Sequence, residues 1–338
     1  MKTTSTIKKP HSRKRKILHM ILGCIALLAI FMFLNNGPLF VTPRTGKAFF
    51  LANGALSQPY SRQGLTNQTC VASRMLPSKH SYLDNTISSI RAAFAVGADI
   101  VEFDVQSTKD QQFVVFHDWN LECRTNGKGV TTNYTLAQLK KLDIGYGYTA
   151  DGGKTYPFRG KGIGLMPSLN EVLQAFPDQP LRVDIKSDNF DEGVQLARVL
   201  STLPQHFQDR LTVEGGDKPI DALHQRLPHM RVMSKAIIQN CVLQYEAIGW
   251  TGYVPATCRH IDLQLPDKVA PWLWGWPDRF LERMDASDTR VILVQGNGSQ
   301  DFSNGFDTPD DLKQLPTGYT AGIWTNHVDQ VAPVYHHK

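Results

Sequence analysis

Strand-like and helix-like segments alternate along most of this 338-residue chain. Short apolar runs predict strands, and apolar residues at helical spacing predict the helices between them. Repeated βα units without a glycine-rich dinucleotide fingerprint favour an α/β fold, a (β/α)8 TIM barrel. The predicted strands are residues 48–52, 100–106, 113–116, 181–186, 210–214, 230–234, 290–294 and 320–325, and the predicted helices are 87–96, 134–142, 167–173, 191–203 and 219–227.

Polar side chains stand near the ends of several predicted strands. Glu102 and Asp104 share one face of their strand, because successive strand residues point to opposite sides. Chemistry in a TIM barrel takes place at the carboxyl ends of the strands. This favours a functional site over the alternative, a solvated strand face followed by a helix-capping His–Asp pair. The residues near such ends are Asn53, Glu102, Asp104, His117, Asp184, Lys186 and Trp324.

The N-terminal segment differs from the rest of the chain. Residues 1–16 carry seven basic residues and no acidic one, and residues 17–34 form an uncharged apolar run close to bilayer-spanning length. We therefore expect a basic cytoplasmic tail (1–16), a transmembrane anchor (17–34), a linker (35–45), a barrel (46–330) on the extracytoplasmic side and a tail (331–338). A cleaved signal peptide is the second interpretation, although residues 35–38 do not resemble a cleavage site.

The charge of the chain is concentrated in this tail. The whole sequence has a formal net charge of +5, so the part beyond the tail is close to neutral and slightly acidic. This argues against a nucleic-acid partner.

Four cysteines follow the apolar run, and in an oxidising compartment an even number suggests two disulfides. Sequence proximity favours Cys241 with Cys258, which leaves Cys70 with Cys123, although three pairings are possible. Four buried thiols are the alternative.

Several separated motifs resemble the glycerophosphodiester phosphodiesterase family, in the family's order and over most of residues 49–329. The segment from Gly97 to Asp110 and the sequence Val-Phe-His-Asp at 115–118 match the most diagnostic part of the family. The remaining motifs are Leu-Asp-Asn-Thr at 83–86, Arg-Thr at 124–125, Met-Pro-Ser-Leu at 166–169, Val-Asp-Ile-Lys at 183–186 and Trp-Thr-Asn at 324–326.

The resemblance implies a TIM barrel and a divalent cation. By position, Glu102, Asp104 and Asp184 would be the metal ligands, and ligation by oxygen alone suits Ca²⁺ or Mg²⁺. The family commonly has Glu where Asp184 stands, so the shorter side chain could loosen that contact. The implied reaction is cleavage of a glycerol phosphodiester, in phospholipid headgroup metabolism, to glycerol phosphate and an alcohol.

Other matched positions imply roles around the phosphate. His117 would be a general acid or base, and Lys186 would add a point charge for the phosphate. Trp324 would line the leaving-group pocket, with a plain barrel-core aromatic as the alternative. Asp84, in the Leu-Asp-Asn-Thr element, is assigned to substrate binding.

The sequence departs from the family at the end of the first strand. The family has a His-Arg-Gly triplet there, which supplies a second catalytic histidine and a phosphate-binding arginine, and this chain has Asn53-Gly54-Ala55. Asn53 forms hydrogen bonds but cannot transfer a proton near neutral pH. His80 is the candidate replacement on this edge, although loop histidines are more often solvated.

Two functions follow from this sequence. The first is a membrane-anchored, metal-dependent phosphodiesterase that acts on glycerophosphodiesters or phospholipid headgroups. The second is a binding protein on the same barrel that recognises a phosphodiester or a metal and has lost efficient catalysis. A phospholipase-type relative that cleaves lipids at the membrane is a third interpretation.

Overall fold

The computed structural model describes residues 11–42, 44–66, 69–298 and 304–336. Its strands are β1 (Phe49–Ala52), β2 (Ile100–Ser107), β3 (Phe113–Val115), β4 (Leu181–Ile185), β5 (Leu211–Gly215), β6 (Arg231–Met233), β7 (Asp262–Pro266), β8 (Arg290–Val294) and β9 (Gly322–Thr325). Its α-helices are α1 (His11–Asn36), α2 (Ile87–Ala95), α3 (Leu136–Leu139), α4 (Leu169–Ala175), α5 (Phe190–Leu200), α6 (Gln205–Gln208), α7 (Asp217–His224), α8 (Lys235–Ile248), α9 (Asp278–Ala286) and α10 (Val328–His336).

The strands form a nearly closed parallel barrel, which confirms the predicted TIM-barrel fold. The order around the sheet is β6-β5-β4-β2-β1-β9-β8-β7, and all these neighbours pair in parallel. A parallel bridge between Val232 and Ile261 brings the two ends of this order together. Strand β3 lies outside the ring and pairs antiparallel with the far end of β2.

Alternation along the strands separates two cores. Val101, Phe103 and Val105 of β2 are fully buried in the layer between barrel and helices. The alternate residues point into the barrel, where an apolar cluster fills one part of the interior: Leu51, Ile100, Ile292, Val294 and Trp324. The predicted division of the β2 faces is therefore present, and Glu102 and Asp104 lie on the interior side.

A charged network fills another part of the interior. Arg182 of β4 is fully buried and donates hydrogen bonds to Asp262 (2.8 Å), Glu214 (2.8 Å) and Gln264 (2.9 Å). Arg290 donates to the other oxygen of Asp262 at 2.7 Å. Burial raises the pKa of Asp262, but the guanidinium groups of Arg290 and Arg182 outweigh it and hold the pKa below its usual value.

Strand β7 and helix α8 were not among the predicted elements. Asp262 to Leu265 alternate polar and apolar residues, which is a strand pattern that the prediction overlooked. No local pattern shows that Asp262 and Gln264 bind Arg182 on a strand across the barrel. A partner that is distant in sequence leaves no local signal.

Three expected segment boundaries are crossed by helices. Helix α1 begins before residue 17 and ends at Asn36, and its part from Arg15 is long and apolar enough to cross a membrane by length and composition. Helix α10 runs through the boundary expected at residue 330, because Val331 and Ala332 are buried in the outer core.

Both disulfides have the pairing that sequence proximity favoured. Cys70 bonds to Cys123 and Cys241 to Cys258. The first ties the loop after β1 to the segment that follows β3, and the second ties α8 to the segment that leads into β7. The alternative of four buried thiols is not what the structure shows.

We predict that Asp262→Asn destabilises the protein by about 3–5 kcal/mol, because it leaves the buried Arg182 and Arg290 without their carboxylate. Urea unfolding of the detergent-solubilised chain measures this. A carboxyl with a lowered pKa contributes stability above its unfolded pKa, near pH 4, and loses it as the pH falls. The difference between wild type and variant should therefore shrink in acid.

Asp178→Asn is the matched control for this prediction. Asp178 also pairs with an arginine, Arg210, at 2.8 Å, but its side chain is 78% exposed. An exposed pair contributes at most about 1 kcal/mol. Equal losses in the two variants would show that the interior network does not stabilise the barrel.

Candidate metal centre and active site

Three carboxylates meet at the carboxyl rim of the barrel. Glu102 and Asp104 extend from β2 and Asp184 from β4, where Asp104 and Asp184 stand opposite each other in the parallel register. Each offers one oxygen, and these oxygens all lie within 4.8 Å of one another. The structure thus brings together the three residues predicted to hold a metal.

The pKa values of the three carboxyl groups are shifted by burial and by the charges around them. Burial and the neighbouring Asp104 raise the pKa of Glu102 well above its usual value, and burial raises that of Asp184. Asp104 has the opposite shift: burial raises its pKa, but Lys186 and His117 lower it, to about 2. The ammonium of Lys186 lies 3.2 Å from Asp104 and 3.0 Å from Asp184.

A hard divalent cation fits this donor set. Ca²⁺ and Mg²⁺ bind carboxylate oxygens. Three carboxylates, two of them buried, lie beside a single lysine ammonium, which cannot balance their negative charge. Burial is the main cause of the raised pKa of Glu102, and a cation there would relieve the repulsion from Asp104 that adds to it. The predicted ligand chemistry and the geometry therefore agree.

Two further groups orient these carboxylates, and sequence analysis did not assign them to the site. The amide of Asn85 donates to Asp104 at 2.8 Å and accepts from the Asp104 backbone N–H at 2.9 Å. The backbone N–H of Gly54 donates to Glu102 at 2.8 Å. Gly54 (φ +62°) and Asn85 (φ +60°) both have left-handed backbones, a conformation that glycine and asparagine adopt readily.

His117 is oriented by a chain of charged groups. Its Nδ1 lies 2.8 Å from Asp118, and Arg124 holds both oxygens of Asp118 at 3.1–3.2 Å. The guanidinium of Arg124 also binds Asp84 and the hydroxyl of Tyr148, which in turn donates to Asp84. The side chain of His117 is 44% exposed, so it can reach a bound substrate.

Asp84 was predicted to bind substrate, and its surroundings indicate a different contribution. Its two oxygens are engaged by Arg124 and Tyr148 in the interior of the loop region. Arg124 also holds Asp118, the residue that orients His117. These contacts favour a positioning role.

Asn53, just after β1, forms a hydrogen bond with Asn326, the residue that follows β9. Its amide donates to the side-chain oxygen of Asn326 at 2.9 Å, and Asn326 donates to Asp307, also at 2.9 Å. Asp307 pairs with Arg62 at 2.6 Å. The position at which the family has a catalytic histidine therefore belongs to a hydrogen-bonded network of amides and a carboxylate.

Two other candidate residues lie apart from the carboxylates. Trp324 is 7% exposed and packs with the apolar cluster inside the barrel, which favours its interpretation as a core aromatic. The ring of His80 accepts the backbone N–H of Tyr82 and contacts the amide of Gln58 in the loop after β1. Its described contacts do not include the carboxylates.

A cavity of about 950 Å³ opens beside the three carboxylates. Asp184, Lys186 and Glu214 form its polar end, and burial raises the pKa of Glu214 to about 7. Ile238 and Val242 of α8 contribute an apolar wall. The cavity therefore has a carboxylate-lined end and an apolar flank.

This architecture, a parallel barrel with a buried carboxylate group at its carboxyl rim, is typical of enzymes that work through a bound cation. Comparison with known proteins makes the class specific. Residues 77–226 match the model of the glycerophosphoryl diester phosphodiesterase family.

Curated relatives agree with the family match. A protein of Caldanaerobacter subterraneus named glycerophosphodiester phosphodiesterase is 30% identical over 153 residues, which cover 44% of this chain and 59% of that protein. A lysophospholipase D of Mus musculus is 34% identical over 140 residues, 39% of this chain and 40% of that protein. The matches thus span about half the length of these relatives.

Solved structures support the fold. The glycerophosphoryl diester phosphodiesterase domain of a Mycobacterium tuberculosis protein superposes with a TM-score of 0.58 at 16% identity. The alignment covers 84% of this chain and 97% of that domain.

We predict that Glu102→Gln stabilises the cation-free protein and abolishes the rise in Tm that Ca²⁺ or Mg²⁺ gives the wild type. A carboxyl with a raised pKa loses its favourable contribution as the pH rises through that pKa. The cation-free wild type should therefore lose stability towards alkaline pH, and the variant should lose less. Thermal unfolding with and without chelator at several pH values measures both effects.

Glu122→Gln is the control, because Glu122 is an exposed glutamate that binds the backbone N–H of Gly129. It should keep the full cation effect. An unchanged cation-dependent Tm in Glu102→Gln would place the cation elsewhere.

Proposed function

We propose that this protein is a cation-dependent phosphodiesterase that hydrolyses glycerophosphodiesters to glycerol phosphate and an alcohol, in phospholipid headgroup metabolism. The observation that carries the proposal is the carboxylate group of Glu102, Asp104 and Asp184 beside the His117–Asp118 pair. The family match over residues 77–226 supports the same reaction class.

We assign cation binding to the three carboxylates and phosphate binding to the neighbouring lysine. Glu102, Asp104 and Asp184 would hold the cation, Ca²⁺ or Mg²⁺, which supplies Lewis-acid stabilisation of phosphate charge when bound. Lys186 adds a positive charge beside the same carboxylates and would bind a phosphate oxygen.

His117 is the proton-transfer group of this proposal. Its Nδ1 faces Asp118, which fixes the tautomer with the proton on Nδ1 and leaves Nε2 to accept or donate a proton at the substrate oxygen. Arg124 holds Asp118 in place, so His117 has the base–orienter geometry that general acid–base catalysis requires.

Asn53 limits the expected rate. The amide cannot transfer a proton, and loss of one general acid–base group typically lowers the rate by about 10²–10⁴-fold. A phosphodiester- or metal-binding protein with impaired catalysis is therefore the second candidate, favoured by the engagement of Asn53 with Asn326. The intact His117–Asp118–Arg124 chain favours the enzyme, because a binding protein need not keep an oriented acid–base histidine.

The apolar flank of the cavity would suit a substrate that carries an acyl chain. Ile238, Val242 and Leu265 line it next to the polar end. A glycerophosphodiester leaves this wall unused, whereas a lysophospholipid would cover it, and a relative named lysophospholipase D belongs to the same family. Both substrates contain the glycerol phosphodiester that the carboxylate end would bind.

The N-terminal helix and the disulfides indicate where the protein is located. We infer that α1 anchors the protein in a membrane, with the barrel on the extracytoplasmic side. The basic residues before the apolar run favour a cytoplasmic N-terminus. The two disulfides of the barrel are typical of an oxidising compartment.

We predict that the detergent-solubilised full chain hydrolyses glycerophosphocholine slowly with Ca²⁺ or Mg²⁺ and not with chelator. His117→Ala should lower kcat by about 10²–10⁴-fold, since it removes the acid–base group. Asn53→His should raise kcat if the new ring reaches the phosphate. Release of glycerol phosphate, measured in a coupled assay, reports each rate.

His206→Ala is the control, because His206 lies on the short helix α6, outside the site. It should not change the rate. Absence of turnover in the wild type, with turnover in Asn53→His, would replace the enzyme with the binding protein. A lysophospholipid cleaved faster than glycerophosphocholine would identify the lipid as the substrate.

A further inference from the structure

The end of the apolar helix α1 is joined to the barrel by hydrogen bonds around one arginine. Arg283 of α9 is 9% exposed. Its guanidinium donates to the Asn35 carbonyl at 2.8 Å and to the Asn36 side chain, the Gly249 carbonyl and the Tyr245 hydroxyl, each at 3.0 Å. The amides of Asn35 and Asn36 both donate to the Trp250 carbonyl at 2.9 Å.

Within the described part of the chain, the positive charge of the buried Arg283 is compensated by carbonyl, amide and hydroxyl oxygens and not by a carboxylate. Among the described residues, Arg283 forms no ion pair with Asp or Glu. Its partners include carbonyls at the carboxyl ends of two helices, Asn35 at the end of α1 and Gly249 just after α8. Helix carboxyl ends carry partial negative charge. Arg283 therefore depends on α1 for part of its compensation.

Close backbone packing supports the same joint. Gly252 has φ +89°, and a Cβ at this position would lie 3.1 Å from the Asn35 side chain and 3.3 Å from Arg283. The ring of Phe31 packs edge-on against Trp250 at 6.3 Å. The end of α1 is thus fitted into a shaped recess of the barrel.

The recess lies on the face of the barrel opposite to the carboxylates. Helices α8 and α9 run back from the carboxyl rim, and α9 ends at Ala286, four residues before β8 begins. Strands of five residues, such as β4, separate the two faces by about 15 Å. Exposed apolar side chains flank the recess: Leu39 (62% exposed), Phe40 (67%) and Tyr253 (53%).

We propose that this joint seats the barrel on the bilayer with its strand-start face towards the lipid and its carboxylate rim towards water. The partner is the lipid interface around α1, which Leu39, Phe40 and Tyr253 would enter, as apolar and aromatic residues do at membrane surfaces. The joint also requires that α1 is retained, because Asn35 and Asn36 follow the apolar run directly. The proposal rests on α1 being a membrane anchor, as inferred above.

Depth-dependent quenching tests the orientation in the full chain. In a Cys24→Ser background, which removes the free cysteine at residue 24, single probes are attached at Tyr253→Cys and at Trp119→Cys. Trp119 lies two residues after His117 on the carboxylate rim and is 46% exposed. Phosphatidylcholine vesicles carry a spin label on the headgroup.

We expect the probe at position 253 to be quenched several times more strongly than the probe at 119. Equal quenching, or stronger quenching at 119, in a chain that floats with the vesicles overturns the seating and leaves the anchor intact. A chain that does not float with the vesicles overturns the anchor, and the seating with it. Neither outcome bears on hydrolysis.

Two glycine substitutions test the joint itself. Gly252→Ala places a methyl group against Asn35 and Arg283, whereas Gly129→Ala has the same left-handed strain (φ +80°) with no atom within 4 Å of the new carbon. We expect Gly252→Ala to lower Tm further than Gly129→Ala and to reduce the quenching difference between the two probes. Identical behaviour of the two variants would show that no specific joint exists.

Discussion

Three carboxylates, two of them buried, lie together at the carboxyl rim of this barrel and repel one another. The oxygens of Glu102, Asp104 and Asp184 lie within 4.8 Å of one another, a spacing at which like charges disfavour ionisation strongly. The fold maintains the arrangement with the parallel register of β2 and β4, the amide of Asn85 and the ammonium of Lys186. Burial raises the pKa of Glu102, the charge of Asp104 raises it further, and this unbalanced negative charge fits a cation.

The proposed proton-transfer part of the site contains one oriented histidine. His117 is oriented by Asp118, and Asp118 is held by the buried Arg124 together with Asp84 and Tyr148. On the β1 side, Asn53 is bound to Asn326 in an amide network. The chain thus combines a complete carboxylate group with a single oriented histidine, and this asymmetry defines the proposed slow phosphodiesterase.

Sequence reasoning found those parts of the site that repeat along one strand or belong to a motif. Strand alternation indicated Glu102 and Asp104 on one face, and the βα pattern predicted the barrel that holds them. It missed the contact of Asn85 with Asp104, the inclusion of Glu214 in the cavity and the strand β7. The first two depend on partners distant in sequence, which local patterns do not record, whereas β7 has an alternating local pattern that the prediction overlooked.

The central claim is that one carboxylate-bound cation and one histidine suffice for hydrolysis. The rate of glycerophosphocholine hydrolysis against pH, at saturating cation, tests it most directly. Two acid–base groups give a bell-shaped profile, whereas one gives a single limb. The account predicts a single limb that His117→Ala removes. A bell with a limb that survives both in His117→Ala and in His117→Ala combined with Glu214→Gln would contradict it, because a second proton-transfer group would then replace the missing first-strand histidine.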